Sequence, residues 1–287
     1  YALIGYQMAY LKVHYKELFL ANLLNMTISN SKKTEDYLNI AKKDKITILT
    51  PNINKSKEVY LSKNNYLLLP LSIIKNIGSN TVNLILQDRE ENGLFEDYFD
   101  LVRRFYKLGI KKNVIESLIY AKALDTFKIN HKTMINMLEE VLRYAVVCDD
   151  LDPSLVEKPI LKIEDEFDDK TLMNQELNVY GFYVSNHPAS KYNTKDIIKI
   201  NNIKTYLGKN VKMVILVNDI RKIKTKKNED MAFVNGTDET GSMDFVVFPK
   251  KISYLENLRV GSLVVVIGTV ARRIDKYQIN INVVRSI

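Results

Sequence analysis

Apolar residues recur at helical spacing from the start of the chain. Leu3, Ile4, Met8 and Leu11 are followed by Leu18, Phe19, Ala21, Leu23 and Leu24, with Lys16 and Glu17 near a break, so 1–26 reads as a helix pair. A polar joint at 29–33 leads into a helix through Tyr37, Leu38 and Ala41. Residues 46–49 read as a short strand closed by Thr50, Pro51 and Asn52, and 59–61 with 66–69 as a small hairpin. Pro70 opens a helical turn with Leu71, Ile73 and Ile74, and after a break at Gly78-Ser79-Asn80 a new helix runs through Val82, Leu84, Ile85 and Leu86. That is helix, tight hairpin, helix. Asn92-Gly93 makes a turn, 95–106 is helical, and 113–120 passes through a second hairpin at 120–124 into a helix over 132–145.

Residues 149–170 carry Pro153, Pro159 and few large apolar side chains, the pattern of an exposed linker that tethers its neighbours. A helix over 173–179 then ends in a turn at 180–188. From residue 211 the period shortens. Five runs rich in Val, Ile and Phe (211–220, 231–234, 243–248, 263–270, 277–284) read as strands, with a helix-like stretch at 250–258 after the third. Five strands with one helix after the third is the layout of an OB barrel, although the pattern alone also admits an SH3-like or another small barrel.

The 287 residues suffice for two domains, and no apolar run reaches the ~18–20 residues of a membrane-spanning helix. One cysteine, Cys148, and three histidines exclude a disulfide framework and a Cys/His zinc cluster, which points to a reducing, cytoplasmic setting. Tyr1 falls inside an amphipathic pattern without a leader, so the chain reads as a piece of something longer.

The net charge of +8 is segregated: 21 basic against 15 acidic residues in 1–148, 3 against 10 in 149–178, and 18 against 9 in 191–287. Two basic bodies flank an acidic bridge, an arrangement suited to a polyanion and hence to nucleic acid.

Candidate chemistry is sparse. Asp150-Leu151-Asp152 and Glu164, Asp165 and Glu166 lie in the acidic linker, where nothing holds the geometry of a two-metal site, and read as solvated faces. His187, before Pro188, reads as structural. No catalytic or metal-binding residue and no cofactor is expected in this chain.

The first hairpin differs in kind. Gly78 permits positive φ, so the amides around Lys75, Asn76, Gly78, Ser79 and Asn80 can open toward a phosphate at the head of the next helix. Such contacts position a duplex without reading its sequence. The second hairpin has no glycine, but Lys122 supplies a point charge. In the β domain, Arg221, Lys222, Lys224, Lys226 and Lys227 fall in the expected loop between the first two strands, on the ligand side of an OB barrel. Phe233, Phe245 and Tyr277 sit on strands where alternation allows either core packing or outward platforms for stacking single-stranded bases.

Taken in order, these segments resemble the C-terminal half of the bacterial replicative DNA polymerase III alpha subunit, DnaE type. Residues 1–24 (YALIGYQMAYLKVHYKELFLANLL) resemble the helices that close the fingers region, 46–56 (ITILTPNINKS) the segment before the tandem helix-hairpin-helix, and 70–90 and 113–127 its two hairpins. Residues 180–188 (YGFYVSNHP) are similar to a Gly-Phe-Tyr-Leu-Ser-Gly-His-Pro stretch, with Asn186 for a glycine, and 225–249 (TKKNEDMAFVNGTDETGSMDFVVFP) to the OB domain. Lys16 stands for a usual proline, Lys122 for the second hairpin's usual glycine, and Asn235-Gly236 interrupts a strand that is normally more apolar.

The resemblance implies an α+β multidomain fold, with a mainly helical N-terminal body bearing the helix-hairpin-helix pair and then a five-stranded OB-type barrel. Its divisions are 1–28 (end of the fingers), 29–69 (small α/β connection), 70–148 (tandem helix-hairpin-helix), 149–190 (acidic linker and helix-turn) and 191–287 (OB domain). It implies a role in DNA replication, with duplex DNA held by the hairpins and single-stranded template by the barrel. The catalytic aspartates and the Mg2+ of a DNA-directed DNA polymerase belong to a palm domain upstream of Tyr1, which leaves this piece inactive alone. It further implies contacts with the sliding clamp and other replisome subunits; where the family carries a Gln-x-x-Leu-Phe motif, this chain has Ile163-Glu164-Asp165-Glu166-Phe167, lacking both Gln and Leu. The alternatives are a replisome docking scaffold and an RNA-binding OB protein; the latter leaves the helix-hairpin-helix pattern unexplained.

Overall fold

A computed structural model describes residues 1–151, 155–185, 187–225, 227–274 and 276–287, apart from the side chain of Asp150. The chain divides into two compact units, Tyr1–Val184 and Ser185–Ile287.

In the first unit, α1 (Ala2–His14) and α2 (Lys16–Asn25) are the helix pair, broken at Tyr15. The side chain of Asn30 caps α3 (Ser31–Lys43) by accepting the Lys33 amide at 3.0 Å. Strands β1 (Thr47–Leu49), β2 (Leu61–Lys63) and β3 (Tyr66–Leu68) form a small sheet in which β3 pairs parallel to β1 and antiparallel to β2. A 3-10 turn (Leu71–Ile73) precedes α4 (Ser79–Asn92), and α5 (Tyr98–Lys107), α6 (Lys112–Tyr120) and α7 (His131–Asp150) follow, with α8 (Asp169–Tyr180) closing the unit. One core joins these elements; Phe95, Tyr98, Phe105, Ile115, Leu118 and Leu138 are fully buried in it. The Arg104 guanidinium crosses the core edge to the buried Asp88 carboxylate at 2.6 Å and lies 4.1 Å from the centre of the Phe95 ring, so its charge is paired and its flat face is packed. By contrast, no residue of α1 is buried.

The acidic stretch is no free tether. Glu166 accepts the amides of His131 and Lys132 at 2.9 and 3.1 Å, the Glu164 amide donates to Thr133 Oγ1 at 3.0 Å, Lys132 pairs with Glu164 at 3.3 Å, and Lys158 pairs with Asp97 at 2.7 Å. The first turn of α7 has no acidic residue of its own, and the strap brings carboxylates to its positive end. Composition could not show this, because the partners lie from 31 to 61 residues back in the sequence.

The second unit is a closed barrel of β4 (Asn210–Lys224), β5 (Asp230–Asp238), β6 (Gly241–Val247), β7 (Leu263–Arg273) and β8 (Lys276–Ser286), in the order β4-β5-β6-β8-β7. All pairs are antiparallel except β6 with β8. A 3-10 run (Pro249–Asn257) occupies the expected position between β6 and β7. The barrel encloses its own core, including Met213, Ile215, Val234, Phe245, Val264 and Ile279. Strand β5 continues through Asn235-Gly236, where glycine leaves room for the core: a Cβ on Gly236 would lie 2.6 Å from Ile215 Cδ1 and 3.0 Å from Phe245 Cε2. Among the described residues, no helix is long and apolar enough to cross a membrane.

Candidate nucleic-acid interface

The first hairpin is built differently from the expectation. Gly78 is extended, with φ −76° and ψ 161°, and serves as the N-cap of α4; the left-handed residue is Asn76, at φ 68°. Asparagine is among the few side chains that enter this region at modest cost, so it does the work expected of the glycine. Ile77 then turns into the core and leaves Gly78, Ser79 and Asn80 exposed. The amides of Ser79, Asn80 and Thr81 donate to no group among the described residues, and the space a Cβ would fill at Gly78 is open. The geometry is therefore a row of free donors at the positive end of a fourteen-residue helix. Asn76 Nδ2 donates to Ser117 Oγ at 3.4 Å, and the Lys75 ammonium lies over Gly181 at the C-terminus of α8.

The second hairpin repeats the backbone with Lys122 at φ 61°, so the left-handed turn survives the loss of glycine. Its amides at Lys122 and Ala123 bond back to Ile119 and Leu118, and Lys122 Nζ lies 3.7 Å from the buried Glu176 carboxylate. That pairing corrects the reading of Lys122 as a charge offered to a phosphate: its partner is internal.

The first part of the basic run is a strand extension and not a loop. Arg221, Lys222 and Lys224 belong to β4, opposite Phe233, Ala232 and Asp230 of β5. Lys224 forms an exposed ion pair with Asp230 at 2.9 Å, Lys227 is exposed in the turn, and Lys226 lies outside the described residues. Alternation along β5 buries Ala232 and Val234 and turns Phe233 outward. Phe245 is wholly buried among the barrel core residues and is no platform. Tyr277 is half-buried and packs partly against the same core.

Around Phe233 the structure assembles residues that the linear pattern left apart. The Arg221 guanidinium lies 5.6 Å from the ring centre and that of Arg273, from β7, lies 5.7 Å from it. Together with Asp244, Lys276, Tyr277 and Gln278 they line an open groove of about 440 Å³. An aromatic ring with guanidinium groups over it offers planar surfaces on which a base can stack and cations that can meet the backbone. Arg273 and Lys276 escaped the sequence reading because they flank the β7–β8 turn, which meets the β4–β5 ribbon only when the barrel closes.

His187, read as structural, is tied into its surroundings: Nδ1 accepts the Ala189 amide at 3.1 Å and Nε2 lies 3.1 Å from Thr237 Oγ1. Asp152 lies outside the described residues, while Glu164 and Glu166 are engaged by the head of α7.

The helix-hairpin-helix motif family matches residues 45–134, and the family described as an OB-fold nucleic acid binding domain matches residues 211–287. DNA polymerase III subunit alpha of Staphylococcus epidermidis is 35% identical over 288 residues, which cover 98% of this chain and 27% of that protein. That of Staphylococcus aureus strain Mu50 is 33% identical over 297 residues, covering 100% and 27%. The chain is homologous to a segment of DNA polymerase III subunit alpha. It spans about a quarter of the length of these alpha subunits, and both hairpins and the whole barrel fall within the shared region. Among solved structures, a replication protein A heterotrimer bound to ssDNA is similar over 33% of this chain and 82% of that chain, at 18% identity and a TM-score of 0.27; the OB assignment rests instead on strand order and the family match.

Proposed function

We propose that this chain is the nucleic-acid-holding segment of a DNA-directed DNA polymerase, with the first hairpin gripping the duplex backbone and the barrel groove holding single-stranded template. The observation that carries the reading is Phe233 with the guanidinium groups of Arg221 and Arg273 over its ring in an open groove of an OB barrel. The free amides at the head of α4 support the duplex half, because they offer donors to an anion without contacting bases. The second hairpin takes no part in this reading beyond packing. Nucleotidyl transfer, and the Mg2+ it uses, are assigned to the parent protein and not to this piece. For the sliding clamp and other replisome subunits, Ile163 is exposed on the strap, but Glu164 and Glu166 are committed to α7, so no contact through 163–167 is proposed.

Oligonucleotide titrations at several salt concentrations test the reading. Duplex and single-stranded DNA are expected to bind, with affinity falling steeply as salt rises; each phosphate neutralised adds roughly 0.9 to the slope on duplex. Gly78→Val fits the extended backbone of the free protein and is expected to weaken duplex binding more than single-strand binding, whereas Arg221→Ala with Arg273→Ala does the reverse. Equal losses on both ligands argue against one module for each. Absence of salt-sensitive DNA binding overturns the reading, and preference for RNA over DNA in parallel titrations favours the RNA-binding alternative.

A further inference from the structure

The groove around Phe233 contains one group that a general phosphate-and-stacking surface does not need. Asp244, exposed on β6, lines the same pocket as Arg221, Arg273 and Lys276, yet it forms no ion pair among the described residues. A bare carboxylate among cations lowers the attraction for phosphate. Its position is defined: Asn235, its partner on β5, donates from Nδ2 to Asp244 Oδ1 at 3.1 Å, and Gln278 is its register partner on β8. Gln278 in turn donates from Nε2 to Asn280 Oδ1 at 3.1 Å, which orients the amide and leaves its second N–H without a partner among the described residues. The carboxylate is thus held beside the aromatic platform by an ordered polar row across β5, β6 and β8.

A carboxylate accepts hydrogen bonds and donates none. Within a single-stranded ligand, the N–H donors belong to the bases. A base stacked on Phe233 with its edge toward β6 and β8 would meet two acceptor oxygens from Asp244 and one donor from Gln278. Guanine matches this set, because its Watson–Crick edge carries N1–H and N2–H2 as adjacent donors beside the O6 acceptor. Cytosine and adenine place a ring-nitrogen acceptor next to their amino group, which would oppose the second carboxylate oxygen, and thymine offers one N–H between two carbonyls. We infer that Asp244 and Gln278 form a base-edge reader on the barrel groove that favours guanine among single-stranded bases.

This inference rests on the proposed single-strand binding of the barrel, and the experiment separates the two. The full chain is titrated with oligothymidylate probes bearing one central dG, dA, dC, dT or deoxyinosine; a single dG avoids guanine self-association. The dG probe is expected to bind about tenfold more tightly than the dT probe, within the range for a bidentate base contact. Deoxyinosine, which keeps N1–H but lacks the 2-amino group, is expected to fall between them. Asp244→Asn, with an unchanged melting temperature, is expected to abolish the dG advantage, so that the dG and dT probes bind within about twofold of each other. Equal affinity for all five probes, or a dG advantage that survives in Asp244→Asn, overturns the inference and leaves single-strand binding intact. Failure to bind any probe overturns the single-strand reading and this inference with it.

Discussion

Two residues show how a local position and its surroundings set what side chain is acceptable. At Asn76 the constraint is the backbone: φ 68° admits asparagine or glycine but strains a β-branched side chain. Asn76→Val is therefore expected to destabilise the first unit by about 1–2 kcal/mol in denaturant unfolding, whereas Asn76→Gly stays near neutral. At Gly236 the backbone is extended and the constraint is space, since a Cβ would press on Ile215 and Phe245 in the closed barrel. Gly236→Ala is expected to cost about 1–3 kcal/mol, read as a lower melting temperature of the barrel unit. Both positions look alike in the sequence, as polar or small residues interrupting apolar runs. Local pattern points to Gly78 as the left-handed residue, two positions late, because glycine is the commonest solution and asparagine the less common one.

Among the elements, the strap over 155–168 shows a charge pattern acting through structure. Burial pushes the Glu166 carboxyl upward, but the amides of His131, Phe167 and Lys132 more than offset this and hold it below the ordinary carboxylate value near 4.5. A carboxyl depressed on folding contributes stability that is fully present above its unfolded pKa and is lost as pH falls through its folded pKa. The strap is thus expected to loosen below about pH 4.5. Glu166→Gln is expected to lower stability at pH 7 by about 1 kcal/mol, as for a lost helix cap, and to flatten the acid limb of the stability curve. An identical acid limb in the variant would show that the cap is not formed. The same elements show where pattern reading succeeds. All five barrel strands, the helix after the first hairpin and the helices flanking the second were legible, because alternation and the 3.6-residue period report directly on which face is buried, whereas a 3-10 turn, Leu71–Ile73, stands where a helix was expected before the first hairpin. The ends were less so: β4 continues as a hydrogen-bonded ribbon to Lys224, where its exposed charged residues carry no burial signal.

For the whole molecule, the division at Val184 and Ser185 separates two bodies with their own cores. The barrel needs no outside strand to close, since each of its five strands is paired on both sides. Residues 185–287 expressed alone are expected to give a cooperative thermal unfolding transition and to retain single-strand binding; a non-cooperative melt would show that the barrel depends on the first unit.

Read alone, the residue order determined the main helices and the barrel strands, the segregation of basic from acidic regions and the resemblance to a polymerase segment, because these depend on periodicity, composition and local motif. Tertiary structure decided which side chains are available and which are spent. Lys122 is consumed by Glu176, Glu166 by the head of α7 and Phe245 by the barrel core, while Arg221, Phe233 and Arg273 become one surface. The reason is physical: a side chain's chemistry is set by neighbours within a few ångströms, and closing a barrel or docking a strap supplies neighbours from tens of residues away.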